Sequence, residues 1–369
     1  MILDIVFYVF AGIIAIQILY YLGIFSRFAF AKKHQNKPKR IPISVIVCAK
    51  NEEDNVKKFI PILAEQDYPD YEIVLINDAS SDDTLEIFKA FAKQYQNVKL
   101  VDVVNNEAFW ANKKYALTLG IKAAKNEYLL FTDSNSYPIS KNWITQMSAC
   151  FTPTKTIVLG YGGYEKVRKS LLNLLIRFDV MFSTTQYFAW AKTGKPFMGS
   201  GKNMAYKREE FFKTNGFINH IQFRLGEDSL FINEAATNKN TTICFDSESF
   251  TYSKAKTTYK DWLKLKQNRR TVISYFKGFD KFQLSLFQFS QFWFLILATL
   301  LLILGYNWIY LVSLIGFRYI ISWLVIGFSA SKLKEKDTIY FYPFLEIVII
   351  FIQANLFFVN LFSKPQTWK

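Results

Sequence analysis

The sequence predicts an α/β protein: one mostly parallel, doubly wound sheet domain, with one apolar transmembrane helix ahead of it and two to three behind it. Three observations predict this. Short continuous apolar runs alternate with helix-period segments from about residue 41 to 280, the pattern of strands buried on both faces. Hydrophobic residues make up 51% of the chain, with 37 Phe and 21 Tyr, and the excess gathers at the two ends. Those ends carry stretches long enough to cross a hydrocarbon layer of roughly 30 Å. The expected organisation is a transmembrane helix at 1–25, a basic juxtamembrane segment at 26–40, the sheet domain at 41–256, an amphipathic interfacial helix at 257–282 and transmembrane helices at 283–369.

Residues 2–24 contain only Asp4 and Gln17 as strongly polar members. A cleaved secretory leader would begin with its basic residues. Here the start is Met-Ile-Leu-Asp, and Arg27, Lys32, Lys33, Lys37, Lys39 and Arg40 follow the apolar stretch. A retained anchor is expected, with this flank and the sheet domain on the cytoplasmic side and the cations against anionic lipid.

Ile43-Ser44-Val45-Ile46-Val47-Cys48-Ala49 reads as the first buried strand. A helix over 53–65, a strand over 72–77, a helix over 82–96, a strand over 98–104, a helix over 113–125 and a strand over 128–132 follow. The second of these helices has acids in its first turn, where they suit the helix dipole. The second half is less regular. Segments 170–192 and 257–277 interleave aromatic and apolar residues with charges, and each fits either the membrane interface or a packed core. Residues 287–305, 308–328 and 340–362 approach spanning length, the last interrupted by Pro343, Glu346, Gln353 and Asn355. Arg318 lies mid-segment, so a protein partner or a headgroup-filled cleft is expected for it. The basic stretch 331–336 belongs on the cytoplasmic side.

The net charge is +15. Nucleic-acid binding is not expected, because no recognition-helix or zinc-module pattern accompanies the charge; a membrane surface is the simpler partner. Cys48, Cys150 and Cys244 form neither a metal motif nor a disulfide framework, and His34 and His220 are the only histidines. Histidine-based hydrolysis and zinc chemistry are therefore poorly supplied.

The most telling local feature is Tyr128-Leu129-Leu130-Phe131-Thr132-Asp133-Ser134-Asn135, a buried strand running into Asp-x-Asn. It puts hard oxygen ligands at the carboxyl edge of a sheet, where open α/β sheets bind ligands. Such ligands suit Mg²⁺ or Mn²⁺ held together with substrate phosphates. A plain strand-to-loop turn would also use these residue types. Three more clusters complete a series: Val47-Cys48-Ala49-Lys50-Asn51-Glu52-Glu53, then Leu75-Ile76-Asn77-Asp78-Ala79-Ser80-Ser81-Asp82-Asp83-Thr84, and finally Arg224-Leu225-Gly226-Glu227-Asp228. Taken singly, Asn-Glu-Glu and Gly-Glu-Asp are ordinary helix starts, and Ser80 and Asp82 are ordinary caps.

In this order the clusters resemble the family 2 glycosyltransferases, inverting enzymes of the GT-A type, a Rossmann-like nucleotide-sugar-binding fold. The resemblance runs over about 41–278. It implies that Ala49, Asn51 and Glu52 hold the base and ribose of the donor and that Asp78 hydrogen-bonds the uracil. It implies that Lys113 approaches the donor phosphates, with Ser134 on the donor side. Asp133, with Asn135, would hold Mg²⁺ or Mn²⁺; Asn135 stands where an Asp is usual, which implies weaker metal affinity. Asp228 would be the catalytic base, with Glu227 beside it on the acceptor side. Gly199-Ser200-Gly201-Lys202-Asn203-Met204-Ala205-Tyr206-Lys207-Arg208 resembles the strand near the acceptor. It is not a P-loop, because Pro196 replaces the first glycine and Asn203 the Ser or Thr. Gln267-Asn268-Arg269-Arg270 resembles Gln-x-x-Arg-Trp, implying Arg270 on the donor diphosphate and Gln267 and Arg269 toward the acceptor. Thr271 replaces the tryptophan, and Asn77 and Ala79 replace the usual Asp and Gly.

The resemblance implies hexosyl or N-acetylhexosaminyl transfer from a nucleotide-sugar, UDP being favoured, to a lipid or lipid-linked hydroxyl at the cytoplasmic membrane face, in cell-envelope glycan assembly. Two other readings stand beside it. A processive polysaccharide synthase would be expected to keep the tryptophan. A catalytically silent membrane scaffold would account for Asn135 but not for Asp133 and Asp228. A dinucleotide oxidoreductase would need a Gly-x-Gly-x-x-Gly after the first strand.

Overall fold

A computed structural model describes residues 1–33, 38–104, 113–223 and 225–362; His34, Lys37 and Arg224 lie outside the described residues. The chain divides into two compact units, one of Lys33–Lys166 with Gly194–Lys256, the other of Met1–Lys32, Val167–Thr193 and Thr257–Gln366.

The first unit is the sheet domain. Its strands are β1 (Ile43–Ala49), β2 (Tyr71–Asp78), β3 (Val98–Val103), β4 (Tyr128–Asp133), β5 (Ser136–Pro138), β6 (Ile157–Leu159), β7 (Gly162–Tyr164), β8 (Met204–Lys207), β9 (Thr241–Ile243) and β10 (Thr251–Ser253). Seven form one sheet in the order β3-β2-β1-β4-β8-β6-β9, and β5-β10-β7 form a second. In the large sheet β8 alone runs antiparallel to its neighbours. The apolar runs of β1 and β2 are buried because helices cover both faces, as parallel sheets require. From β1 the chain builds outward on one side through β2 and β3, then crosses to β4 on the other. Such a reversal is where open sheets bind ligands, outside the strands' carboxyl ends. Register pairs Ala49 with Asn77 and Cys48 with Asp133, so three of the four motif clusters arrive at this one edge.

The core between sheet and helices includes Val45, Val47, Leu75, Phe88, Leu130 and Trp143. Trp143 donates its indole N–H to Asn203 Oδ1 at 3.1 Å. Asn203 in turn donates to the carbonyls of Tyr161 and Ser249. A Cβ at Gly160 would lie 2.6 Å from the Asn203 side chain, so that glycine makes room for the knot. This explains Asn203 in the Gly-Ser-Gly-Lys-Asn segment: it is a buried junction.

Among the described residues, the second unit holds four helices long and apolar enough to cross a membrane: Ile2–Ala29, Gly278–Ile303, Trp308–Lys332 and Lys336–Val359. Three of them are C-terminal, the upper end of the expectation. The N-terminal helix passes through a π-helical stretch, Leu19–Phe25, before Ser26–Ala29. Arg318 is fully buried and has the protein partner it requires. Its Nη1 and Nη2 meet the two Glu346 carboxylate oxygens at 2.6 Å each, and its Nε donates to Gln17 Oε1 at 2.7 Å. Glu346 interrupts the apolar sequence but not the helix, because its charge is matched there.

The helix Leu171–Lys192 belongs to this unit too, although its sequence lies inside the 41–256 span. Leu175, Ile176, Phe178, Met181 and Phe182 are buried, and Arg177 pairs with Glu335 and Asp337. Between interface and core, its packing is that of a core helix.

Candidate active site

The edge beyond β1 and β2 is built by two loops laced together. Asn51 N–H donates to Ser80 Oγ at 3.1 Å, and Asn51 Oδ1 accepts from Ser81 N–H at 2.8 Å. Glu52 N–H donates to Thr84 Oγ1 at 2.9 Å. Asp82 accepts from the N–H groups of Glu53 and Thr84. These bonds draw 82 and 83 into the turn, so the helix predicted from 82 begins at Thr84. Asn77 accepts from Ser80 N–H and donates to Asp102 Oδ1 at 2.7 Å. A carboxylate at 77 would instead face that of Asp102, which gives a physical reason for the amide.

Asn51 and Ala79 turn the chain with φ of +55° and +49°. Left-handed backbone strains a residue with a Cβ. Ala79→Gly is expected to stabilise the fold by about 0.5–1 kcal/mol, the relief outweighing the entropy glycine adds to the unfolded chain. A raised thermal midpoint of the purified protein would show it; a lowered one would contradict it.

At the end of β4 the carboxylates converge. Lys113 opens the helix Lys113–Ala123 and sends Nζ to Asp133 Oδ1 at 3.0 Å and to Glu227 Oε1 at 2.8 Å. Asp228 lies next to Glu227 and N-caps the helix Ser229–Ala235. Its Oδ2 accepts Gly201 N–H at 2.8 Å; its Oδ1 accepts Ser229 N–H at 2.6 Å and Ser229 Oγ at 3.0 Å. Gly226, with φ of +90°, lets the chain turn into this pair. One pocket is lined by Cys48, Lys113, Asp133, Gly201, Glu227 and Asp228.

Burial and the Glu227 carboxylate raise the Asp228 pKa above the ordinary carboxylate value, against the pull of Gly201, Ser229 and Lys113. Burial would lower the Lys113 pKa, but Asp133 and Glu227 hold it well above the usual lysine value. Burial pushes the Cys48 thiol up to about 12, so it lines the pocket as a neutral group. Burial lowers His220 to about 4, leaving it neutral at physiological pH.

For a metal, the donors present are the Asp133 carboxylate and the Asn135 amide oxygen, which accepts Ser136 Oγ at 3.3 Å. No group of three or more His, Cys, Asp or Glu is placed to hold an ion among the described residues. Both are hard oxygen donors, the kind that Mg²⁺ and Mn²⁺ take.

The structure thus brings Lys113, Asp133, Glu227 and Asp228 together, and Ala49, Asn51, Glu52 and Asp78 along the same edge. Ser134 is buried beside Asp133, and Asn135 is exposed. Gln267, Arg269 and Arg270 lie on the helix Tyr259–Ile273 in the other unit. There Arg270 donates to the Gln353 carbonyl at 3.1 Å and stands 5.4 Å over the Phe357 ring. Sequence reasoning missed Gly201 as an Asp228 partner, and Lys114 entirely. The signals were the second glycine of Gly199-Ser200-Gly201 and the second lysine of a pair.

Residues 44–212 match the family described as Glycosyl transferase family 2. A poly(ribitol-phosphate) beta-glucosyltransferase of Bacillus spizizenii is 37% identical over 98 residues, 26% of this chain and 15% of that protein. A poly-beta-1,6-N-acetyl-D-glucosamine synthase of Staphylococcus epidermidis is 33% identical over 112 residues, 30% of this chain and 26% of that protein. The chain therefore spans about a quarter or less of these relatives. In architecture it is similar to the mannosyltransferase PcManGT of Pyrobaculum calidifontis, solved in complex with GDP-Man and Mn²⁺. The TM-score is 0.59 over 94% of this chain and 98% of that one, at 18% identity. That likeness shows the fold alone: a GT-A-type sheet domain with apolar helices at both ends of the chain.

Proposed function

We propose that this chain, which carries a Glycosyl transferase family 2 domain, moves a sugar from a nucleoside-diphosphate sugar to a lipid or lipid-linked hydroxyl, with inversion at the anomeric carbon. One observation carries the reading. Asp133, Lys113, Glu227 and Asp228 share a pocket at the sheet's switch point. Direct displacement needs a base on the acceptor side and positive charge on the leaving diphosphate. Asp228 accepts the acceptor's proton as its oxygen attacks. Glu227 lies beside it on the acceptor side, with Gln267 and Arg269 assigned to the same side. The Lys113 ammonium meets charge developing on the leaving phosphates, with Arg270 assigned to the same diphosphate. Ala49, Asn51, Glu52 and Asp78 hold the nucleoside, with UDP the favoured donor, and Ser134 lines the donor side. A divalent cation bound by Asp133 and Asn135 would supply further charge neutralisation at the diphosphate.

The juxtamembrane cations Arg27, Lys32, Lys33, Lys39 and Arg40 support a cytoplasmic placement of the sheet domain. The helix Tyr259–Ile273 is assigned to the membrane interface. Relatives named for glucosyl transfer to poly(ribitol-phosphate) and for poly-N-acetylglucosamine synthesis support hexosyl or N-acetylhexosaminyl transfer into an envelope glycan. The second of them also favours a processive synthase, which Thr271 disfavours; product length separates the two.

The reading is tested by nucleotide release from a panel of sugar nucleotides, using detergent-purified protein, Mn²⁺ or Mg²⁺ and a membrane lipid extract. Lipid-stimulated release from one donor supports it, and release from none removes it. Asp133→Ala is expected to weaken Mn²⁺-dependent donor binding on the order of 10–100-fold, measured by calorimetry with and without the ion. Equal metal dependence in variant and wild type would take the ion away from Asp133.

A further inference from the structure

Lys114 is the neighbour of Lys113 on the same helix, but its side chain goes elsewhere. It is fully buried. Its Nζ donates to the carbonyls of His220 at 2.7 Å, Phe223 at 2.7 Å and Leu225 at 3.1 Å. An ammonium has three N–H donors and no acceptor, so these carbonyls match it in polarity. The His220 carbonyl ends the short turn Ile218–His220, where it also accepts Phe223 N–H at 3.2 Å, and the Phe223 and Leu225 carbonyls lie between that turn and the helix starting at Ser229. Phe223 and Leu225 stand in no helix or strand ladder, and buried carbonyls need partners. Bonds from a charged donor are the stronger kind. Leu225, the last residue held, is two positions before Glu227 and three before Asp228. A buried ammonium is costly unless it is fully hydrogen-bonded, and a Met of similar length would fill the same space without that cost.

We propose that Lys114 is a positioning residue for the proposed transfer: its clamp on the carbonyls of His220, Phe223 and Leu225 sets where Glu227 and Asp228 enter the pocket. Consecutive lysines then divide the work. Lys113 holds the Glu227 side chain, and Lys114 holds the backbone that delivers it. The inference rests on the reading of Asp228 as the base.

The test uses full-length, detergent-purified Lys114→Met and Lys114→Arg beside Asp228→Asn. Donor affinity, kcat, acceptor KM and amide hydrogen exchange over 217–229 are measured on each. In Lys114→Met, exchange over 217–229 should quicken and kcat should fall about 30–100-fold with donor affinity kept within about 3-fold. Lys114→Arg, which keeps a cationic donor, should recover protection and at least about a tenth of wild-type kcat. Faster exchange with kcat within about 3-fold of wild type overturns the positioning role, as does lost kcat with exchange unchanged. If Lys114→Met does not fold, Lys114→Arg decides: a protected loop with substantial kcat supports the role, and an open loop with full kcat overturns it. An inactive Asp228→Asn beside an unaffected Lys114→Met sinks the positioning role alone. A wild-type chain that releases nucleotide from no donor sinks the transferase reading, and the positioning role with it.

Discussion

Asp228→Asn loses about 10²–10⁴-fold in turnover while its donor affinity stays within about 3-fold of wild type. This is the first result the site geometry leads us to expect. The amide has the shape of the carboxylate but cannot take a proton at neutral pH. The substitution also has a structural cost. Both Asp228 oxygens accept hydrogen bonds, Oδ2 from Gly201 N–H and Oδ1 from Ser229 N–H and Oγ. An amide must turn its NH₂ toward one of these donors, a conflict worth about 1–3 kcal/mol. A melt run beside the assay separates that loss from the chemical one, since lost stability alone leaves the folded fraction active. The raised Asp228 pKa adds a sign. The base must be ionised, so the acid limb of kcat/KM, which reports the free enzyme, should lie above the ordinary carboxylate range and vanish in Asp228→Asn. For stability the same shift works the other way. The folded state binds the proton more tightly than the unfolded chain, so this group's contribution is fullest below the unfolded pKa and is lost as pH rises through the folded one. Turnover by Asp228→Asn within about tenfold of wild type would remove Asp228 as the base.

Much of the sheet was legible because a strand buried on both faces carries a continuous apolar run, as 45–49 and 73–76 do. Asp133 and the pair Glu227-Asp228 were legible because acids at strand and helix ends stand out against apolar runs. Their meeting was not. Lys113 and Glu227 are 114 positions apart, and only the crossing of the chain between β4 and β8 brings them to 2.8 Å. Lys114 was hidden because its partners are backbone carbonyls, which every residue carries. Asn77 looked like a departure until Asp102 was beside it, and Glu346 looked like an interruption until Arg318 was opposite it. Local pattern fixes what a segment can be. Which charge answers which is a tertiary fact. The helix Leu171–Lys192 shows the same limit, since an aromatic face suits a membrane interface and a packed core equally well.

The largest effect on stability is expected from the charge pair in the apolar unit. Arg318→Met leaves Glu346 buried without its guanidinium, with the Tyr21 and Tyr342 hydroxyls, at 3.0 and 3.1 Å, still among its donors. Breaking one side of a buried pair costs about 3–5 kcal/mol, because the remaining charge is uncompensated. Glu346→Met should cost a similar amount, since the Arg318 charge would then rest on the Gln17 amide oxygen and on nearby rings. Removing both charges is the informative experiment. Arg318→Met with Glu346→Met takes away the attraction and the two desolvation penalties together, so the double variant should recover most of the single losses. The four unfolding free energies, measured in one detergent, give the coupling directly. Ionic strength should barely alter it, because the pair is shielded from mobile ions. Single variants within about 1 kcal/mol of wild type, or a double variant as unstable as the two losses added, would show that the pair is not what offsets these buried charges. Near-complete recovery would mean that the pair contributes little net stability. Its role would then lie in specificity: Gln17, Arg318 and Glu346 come from three different helices, and only one arrangement of those helices lets the charges meet.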